Sequence, residues 1–312
     1  MKLRIAFAVL AALVLVAPAL AIASRPLSDT NVKNATLKVN KAGYALVEYT
    51  TAAGLRRHVL VWGAINSNRP DPTVKQVRFK FDYAGGYGAF RKQVWTSFAN
   101  ACKPYDGPRL AYFVLGCKAA DGTYWALQSW QRNLPLLGFQ PWMPSQSAFE
   151  MHVSHWSGAL ATLEVYTHYT YGGSAEGLFG RLSYDGSPVY GFGATNVGNP
   201  TDAYGRIAYI DTYDSVYGSG WWRESAILVH RPTGVFCHSF VPEKPFPGYP
   251  SQDIRPAAPG EQYRVTVTGP GVTPDLHWIG PAPPMDAAYA AQMQATFDQV
   301  MAGDAKCAPE RG

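Results

Sequence analysis

Between residues 77 and 83 the chain alternates strictly, with Val77, Phe79, Phe81 and Tyr83 on one side and Arg78, Lys80 and Asp82 on the other. Side chains of an extended strand project in turn to its two faces, so this period of two sets one face on a core and the other in water. Leu163, Val165, Thr167 and Tyr169 alternate in the same way with Glu164, Tyr166, His168 and Thr170. Residues 59 to 62 are apolar on both faces, as in a central strand. Further strands are expected over 44–50, 111–117, 123–128, 179–184, 207–213, 225–230, 235–241 and 263–268. Asp121-Gly122 and Asp185-Gly186 lie between such runs and mark hairpin turns. Many short strands separated by turns give an all-β, mostly antiparallel fold, built as sandwiches or half-barrels.

Two stretches repeat in order. Residues 35–39, Ala-Thr-Leu-Lys-Val, are matched by 161–165, Ala-Thr-Leu-Glu-Val, and Gly63-Ala64-Ile65-Asn66 by Gly193-Ala194-Thr195-Asn196. Tyr87-Gly88 and Tyr217-Gly218 each follow 24 residues after the first glycine of that second string. The turns Gly122-Thr123-Tyr124 and Gly234-Val235-Phe236 then correspond, with 18 more residues before the turn in the first half. A period above 100 residues predicts two related lobes from an internal duplication rather than a solenoid. The expected division is a leader over 1–23, a first β copy over 24–145, a second over 146–245, and a closing segment over 246–312. Eleven of the 24 prolines fall in 242–284, which predicts a wrap around a formed core apart from one strand. Tyr289, Met293, Phe297, Val300 and Met301 share one helical face, so a short C-terminal helix is expected over 285–302.

The first residues carry Lys2 and Arg4, an apolar run from Ile5 to Ala17, then Pro18 and small residues at Ala19, Ala21 and Ala23. This is the layout of a secretory signal peptide, cleaved after Ala21 or Ala23, and its apolar run is shorter than the roughly 18 residues of a membrane span. The reading predicts a secreted protein, extracellular or periplasmic, with no membrane association after cleavage. In an oxidising compartment the four cysteines pair. Cys102 with Cys117 flank one short loop, and elimination leaves Cys237 with Cys307. Closing a 15-residue loop contributes about 3 kcal/mol in the chain-entropy model. The Cys102–Cys117 loop falls within the extra length of the first copy, so an inserted, stapled loop explains the difference between the halves.

The formal net charge is +5, of which the leader contributes two. Basic residues cluster only at Arg56-Arg57 and Arg91-Lys92, which argues against a nucleic-acid partner. The cysteine and histidine spacings include no metal-ligand pattern, and neither a phosphate loop nor a dinucleotide fingerprint occurs, so no metal and no cofactor are expected. Aromatics are abundant, with 9 Trp, 19 Tyr and 14 Phe. Trp221 and Trp222 are adjacent and must face opposite sides of a strand, so one of them lies outside the core. With Tyr213, Tyr217 and Trp156 they are the expected ligand surface, since flat rings beside polar groups suit the apolar faces of sugars. The expected partner is therefore an extracellular glycan or cell-envelope component. A secreted hydrolase is the alternative, with Asp211, Asp214 or Glu224 as acid and base and His230 or His238 in support. A structural or adhesive envelope protein is the third reading.

Overall fold

The computed structural model describes residues 24–66, 79–132, 143–144, 148–167, 177–189, 207–230, 233–240, 260–283 and 286–301. It is mostly β, with antiparallel sheets and one C-terminal helix. The first half holds β1 (Arg25–Thr30), β2 (Lys33–Val39), β3 (Ala45–Thr50), β4 (Arg56–Trp62) and β5 (Lys80–Asp82). After a four-residue helix, α1 (Tyr87–Phe90), come β6 (Lys103–Pro104), β7 (Phe113–Lys118), β8 (Tyr124–Trp130), β9 (Met143–Pro144) and β10 (Glu150–Trp156). There follow β11 (Thr162–Thr167), β12 (Gly177–Tyr184), β13 (Ser187–Pro188), β14 (Ala208–Ser215) and β15 (Gly218–Ile227). The chain ends with β16 (Val235–Ser239), β17 (Gln262–Val267), β18 (Leu276–Pro281) and the helix α2 (Ala287–Val300).

These strands form four sheets. Sheet I runs β2-β3-β4-β5 and sheet II runs β1-β10-β8-β7-β6. Sheet III runs β18-β17-β14-β15-β9, and sheet IV runs β11-β12-β13 with β16 also on β12. Sheets I and II face each other across one core, where Val47, Tyr49, Val59 and Val61 meet Trp125, Leu127, Met151 and Val153. Sheets III and IV enclose a second, where Ile210, Val265 and Val267 meet Leu178, Leu182 and Phe236. Helix α2 closes the far side of sheet IV through Phe297 and Met301 on Phe179 and Val235. Asp286 caps it, accepting from the Tyr289 amide at 2.7 Å, in the residues where the periodicity places a helix.

Between the two cores, sheets II and III meet face to face. Alternation along β8 and β10 sends Trp125, Leu127, Met151 and Val153 to the first core, and turns Gln128, Trp130, Glu150 and His152 to sheet III. Along β14, Ile210 enters the second core while Tyr209 and Asp211 face sheet II. The sequence divides the copies at 145 and places no strand between 128 and 163, yet β10 lies there as a buried strand of sheet II, between β1 and β8. Sheet II therefore draws on residues beyond 145. Likewise β17 and β18, from the proline-rich stretch, are paired strands of sheet III. Residues 241–259 of that stretch lie outside the described residues.

The repeated strings do not carry over into strand order. Strands β2 and β11, which hold the matched residues 35–39 and 161–165, are each paired with the next strand at the end of a sheet. Strands β8 and β16 follow the matched turns, but β8 sits between β7 and β10 in sheet II whereas β16 pairs with β12 in sheet IV. Tyr87-Gly88 opens a helix, and Tyr217-Gly218 closes a hairpin. Residues 193–196 lie outside the described residues. Among the described residues no helix is long and apolar enough to cross a membrane.

Candidate functional site

Residues 103–116 form a loop closed by the Cys102–Cys117 disulfide, which bridges Cα atoms 5.7 Å apart. Next to the bond, Lys103 and Pro104 pair with Lys118 and Cys117, and Lys118 reaches Asp106 at 3.0 Å. The closed loop carries Tyr105, Arg109, Leu110, Ala111, Tyr112 and Phe113, and these line one wall of a cleft of about 870 Å³. Among the described residues Leu160, Asp275, Leu276 and His277 make up the rest of the lining, so β18 and the residue before it contribute to the opposite wall. A volume of this size lies within the roughly 300–1,000 Å³ of small-molecule sites.

The loop wall is aromatic. Tyr105 and Phe113 lie 5.2 Å apart between ring centroids, and behind Tyr105 are Tyr124 at 5.6 Å and Trp156 at 6.3 Å. Gly116 makes this stack fit, because a Cβ there would come within 2.8 Å of the Phe113 ring and 3.0 Å of the Tyr105 ring. The Tyr105 hydroxyl donates to Pro108 O at 2.5 Å, and burial pushes its pKa up to about 12. Phe113 remains 43% exposed. Tyr112 adopts a left-handed backbone, φ 51, in the turn before β7. Its ring is 5.0 Å from His277, and its hydroxyl meets Thr266 Oγ1 at 2.7 Å. A non-glycine residue in this region costs of order 1–3 kcal/mol, and the contacts across the sheet boundary hold it there.

Below the cleft lies a buried polar network. Asp275 is 1% exposed. Its Oδ1 accepts from the Ser24 hydroxyl and from the Gly269 amide at 2.9 Å. Its Oδ2 accepts from Trp130 Nε1 at 2.8 Å and pairs with His152 Nδ1 at 2.7 Å. The other nitrogen of His152 faces Glu150 at 3.2 Å, and Glu150 pairs with Arg132 at 2.9 Å. Gln128 ties the cleft walls together, donating to Ala111 O at 2.7 Å and Asp275 O at 2.9 Å and accepting from the Asp275 amide at 2.8 Å. Burial alone would lower the His152 pKa, but the carboxylates of Asp275 and Glu150 outweigh it and hold it above the usual histidine range. Burial would raise both acids, yet His152 brings each below its ordinary value, with Arg132 adding to the effect at Glu150.

Ser24, His152 and Asp275 thus stand together without forming a nucleophilic relay. A histidine that activates serine needs one nitrogen on the acid and the other, unprotonated, on the hydroxyl. Here Nδ1 faces both Asp275 and the Ser24 oxygen, the latter at 3.3 Å, while Nε2 is committed to Glu150. The chemistry of this set is ionic clasping.

The residues expected from sequence are distributed over separate faces. Asp211 is fully buried and clamped, with Arg223 Nε at 2.5 Å and Arg264 Nη2 at 2.8 Å. A bulge between Ile210 and Asp211 sets Glu224 apart in the ladder, where it lies 3.6 Å from His238 of sheet IV. Asp214 sits in the β14–β15 hairpin and accepts from the Gly220 amide at 2.6 Å. His230 is in the turn before β16, where its amide donates to Val235 O at 2.7 Å. Trp221 and Trp222 are half-buried and point to opposite faces, Trp221 beside Tyr213 at 5.1 Å and under Arg264 at 4.4 Å, Trp222 beside Tyr217 at 6.2 Å. Trp156 is fully buried in sheet II and belongs to the backing of the cleft. Cys237 has no free thiol, and its expected partner Cys307 lies outside the described residues. Among the described residues no three His, Cys, Asp or Glu side chains are placed to hold a metal ion.

The sequence reading passed over Tyr105, Arg109, Phe113 and His277. The available signal was the inserted length between the two cysteines, which read as a structural staple. Comparison with protein-family models, with curated proteins and with solved structures finds no match to this chain.

Proposed function

We propose that the protein is a secreted binding protein for an extracellular saccharide, such as a polysaccharide or cell-envelope glycan, and that the ligand lies in the cleft walled by the Cys102–Cys117 loop. The observation that carries this reading is that, of the ten described residues that line the cleft, six come from inside that one disulfide-closed loop. A loop stapled in place presents its rings with little ordering cost on binding. Tyr105 and Phe113 offer flat apolar area to a sugar face, while Arg109 and His277 supply polar contacts at the same opening. The basic-apolar leader and the disulfide support export. Each pair of facing sheets is read as one sandwich-like lobe, with the cleft where the lobes meet.

Titration of the mature protein with a panel of oligosaccharides, followed by tryptophan fluorescence, tests the reading. Trp130 and Trp156 lie close enough to the cleft to report. We expect saturable binding and a loss of about tenfold in affinity in Phe113→Ala, the usual size for a central aromatic contact. Trp222→Ala, on another face, should bind as wild type. Absence of binding across the panel, or loss in Trp222→Ala with none in Phe113→Ala, overturns the assignment.

A further inference from the structure

The cleft has an asymmetric charge. Among the described residues that line it the one acid is Asp275, and both of that carboxylate's oxygens are occupied, by Ser24 and Gly269 on one and by His152 and Trp130 on the other. The basic members are Arg109, at the exposed lip of the stapled loop, and His277, on the facing strand β18. Among the described residues the Arg109 guanidinium has no hydrogen-bond or ion-pair partner. Arg264, one strand in from β18, is held by Asp211 and reaches the Tyr112 ring at 6.0 Å. It adds to the positive potential from behind, and both arginines depress the pKa of His277, whose main depressing influence is burial. The Arg109 guanidinium and the His277 ring converge on an opening floored by a neutralised acid and walled by Tyr105, Phe113, Leu110 and Leu276. A neutral sugar would make no charge-assisted hydrogen bond with the Arg109 fork.

Resting on the saccharide reading, we infer that the ligand is an acidic saccharide, a sugar ring packed on the Tyr105–Phe113 wall with its anionic substituent held between Arg109 and His277. The planar guanidinium fork matches a carboxylate or sulfate ester in two parallel hydrogen bonds, and the His277 ring supplies a further donor. Ring carboxylates and sulfate esters share this chemistry.

The test uses the full mature chain at low salt, with trigalacturonate, the same trisaccharide as its methyl ester, and a sulfated galactose oligomer with its unsulfated parent. We expect each anionic oligomer to bind at least about tenfold more tightly than its neutral twin, with the preference weakened by added salt. The carboxylate and sulfate pairs identify which anion is preferred. In the double variant Arg109→Gln, His277→Gln the acidic preference should vanish while the weak neutral affinity persists, which also shows that the variant is folded. Equal affinity for acidic and neutral twins overturns the inference and leaves the saccharide reading standing, as does a preference that survives in the double variant. Binding of neither class overturns the saccharide reading itself.

Discussion

At His152 both ring nitrogens face carboxylates, and all three side chains are buried. The sign of the pH dependence follows from the shifts. His152 is raised, so its contribution is full below the unfolded value of about 6.5 and is lost as pH climbs through the folded one. Glu150 and Asp275 are lowered, so theirs is full above about 4 and is lost as pH falls through their folded values. His155 acts differently. Burial lowers it to about 4, with Nδ1 donating to Ala64 O at 2.5 Å, so its term rises with pH from there to about 6.5. Urea midpoints across pH 5 to 10 should therefore decline on the alkaline side. His152→Gln should lose about 3–5 kcal/mol near neutrality, because two buried acids lose their shared cation, and should flatten the alkaline decline. A variant as steep as wild type above neutrality would show that the charge lies elsewhere.

Strands β5, β11 and β12 fall where alternation and hairpin turns place them, but Asp82, on the expected water side of β5, is buried and accepts from the Ala84 and Ala89 amides, while Tyr83 on the expected core side is exposed. Strand β10 was not legible in the sequence. Its alternate residues Glu150, His152 and Ser154 are polar, yet they face sheet III and are buried, Glu150 and His152 in ion pairs. Polar alternation marks a strand's second face without saying what covers it. Strand β18 was hidden for another reason, since His277 and Ile279 are exposed and prolines flank the run, leaving little apolar signal. The Cys102–Cys117 pair was legible from its spacing, whereas the aromatic wall it organises depends on the close approach at Gly116, which spacing does not encode. Replacing Gly116 by valine should displace Tyr105 and Phe113 and weaken ligand binding by tenfold or more while the far-ultraviolet circular dichroism stays unchanged. Cys102→Ser with Cys117→Ser should cost about 3 kcal/mol by the loop-closure argument, measured by urea unfolding. Full stability without the bond would mean that the loop is held by its other contacts.

Across the whole molecule, two apolar cores are joined through a charged seam. Asp211 sits between Arg223 and Arg264 within sheet III, and Arg223 continues to Gln131 O at 2.8 Å just past β8, so the ionic cluster is tied to sheet II by a directed hydrogen bond. This seam sets the spacing of the cleft walls, because Tyr112 from the stapled loop reaches Thr266 and His277 of sheet III across it. Asp211→Ala should destabilise the fold by about 3–5 kcal/mol, with two guanidinium groups left unpaired, and should lower ligand affinity as the walls lose their register. Unchanged affinity in a folded Asp211→Ala protein would separate the cleft from the seam. The central claim is the location of the ligand. Amide hydrogen exchange with and without the tightest-binding oligosaccharide tests it most directly: the account predicts added protection over 105–113 and at 276–277, and protection over 217–222 with none in the stapled loop would contradict it.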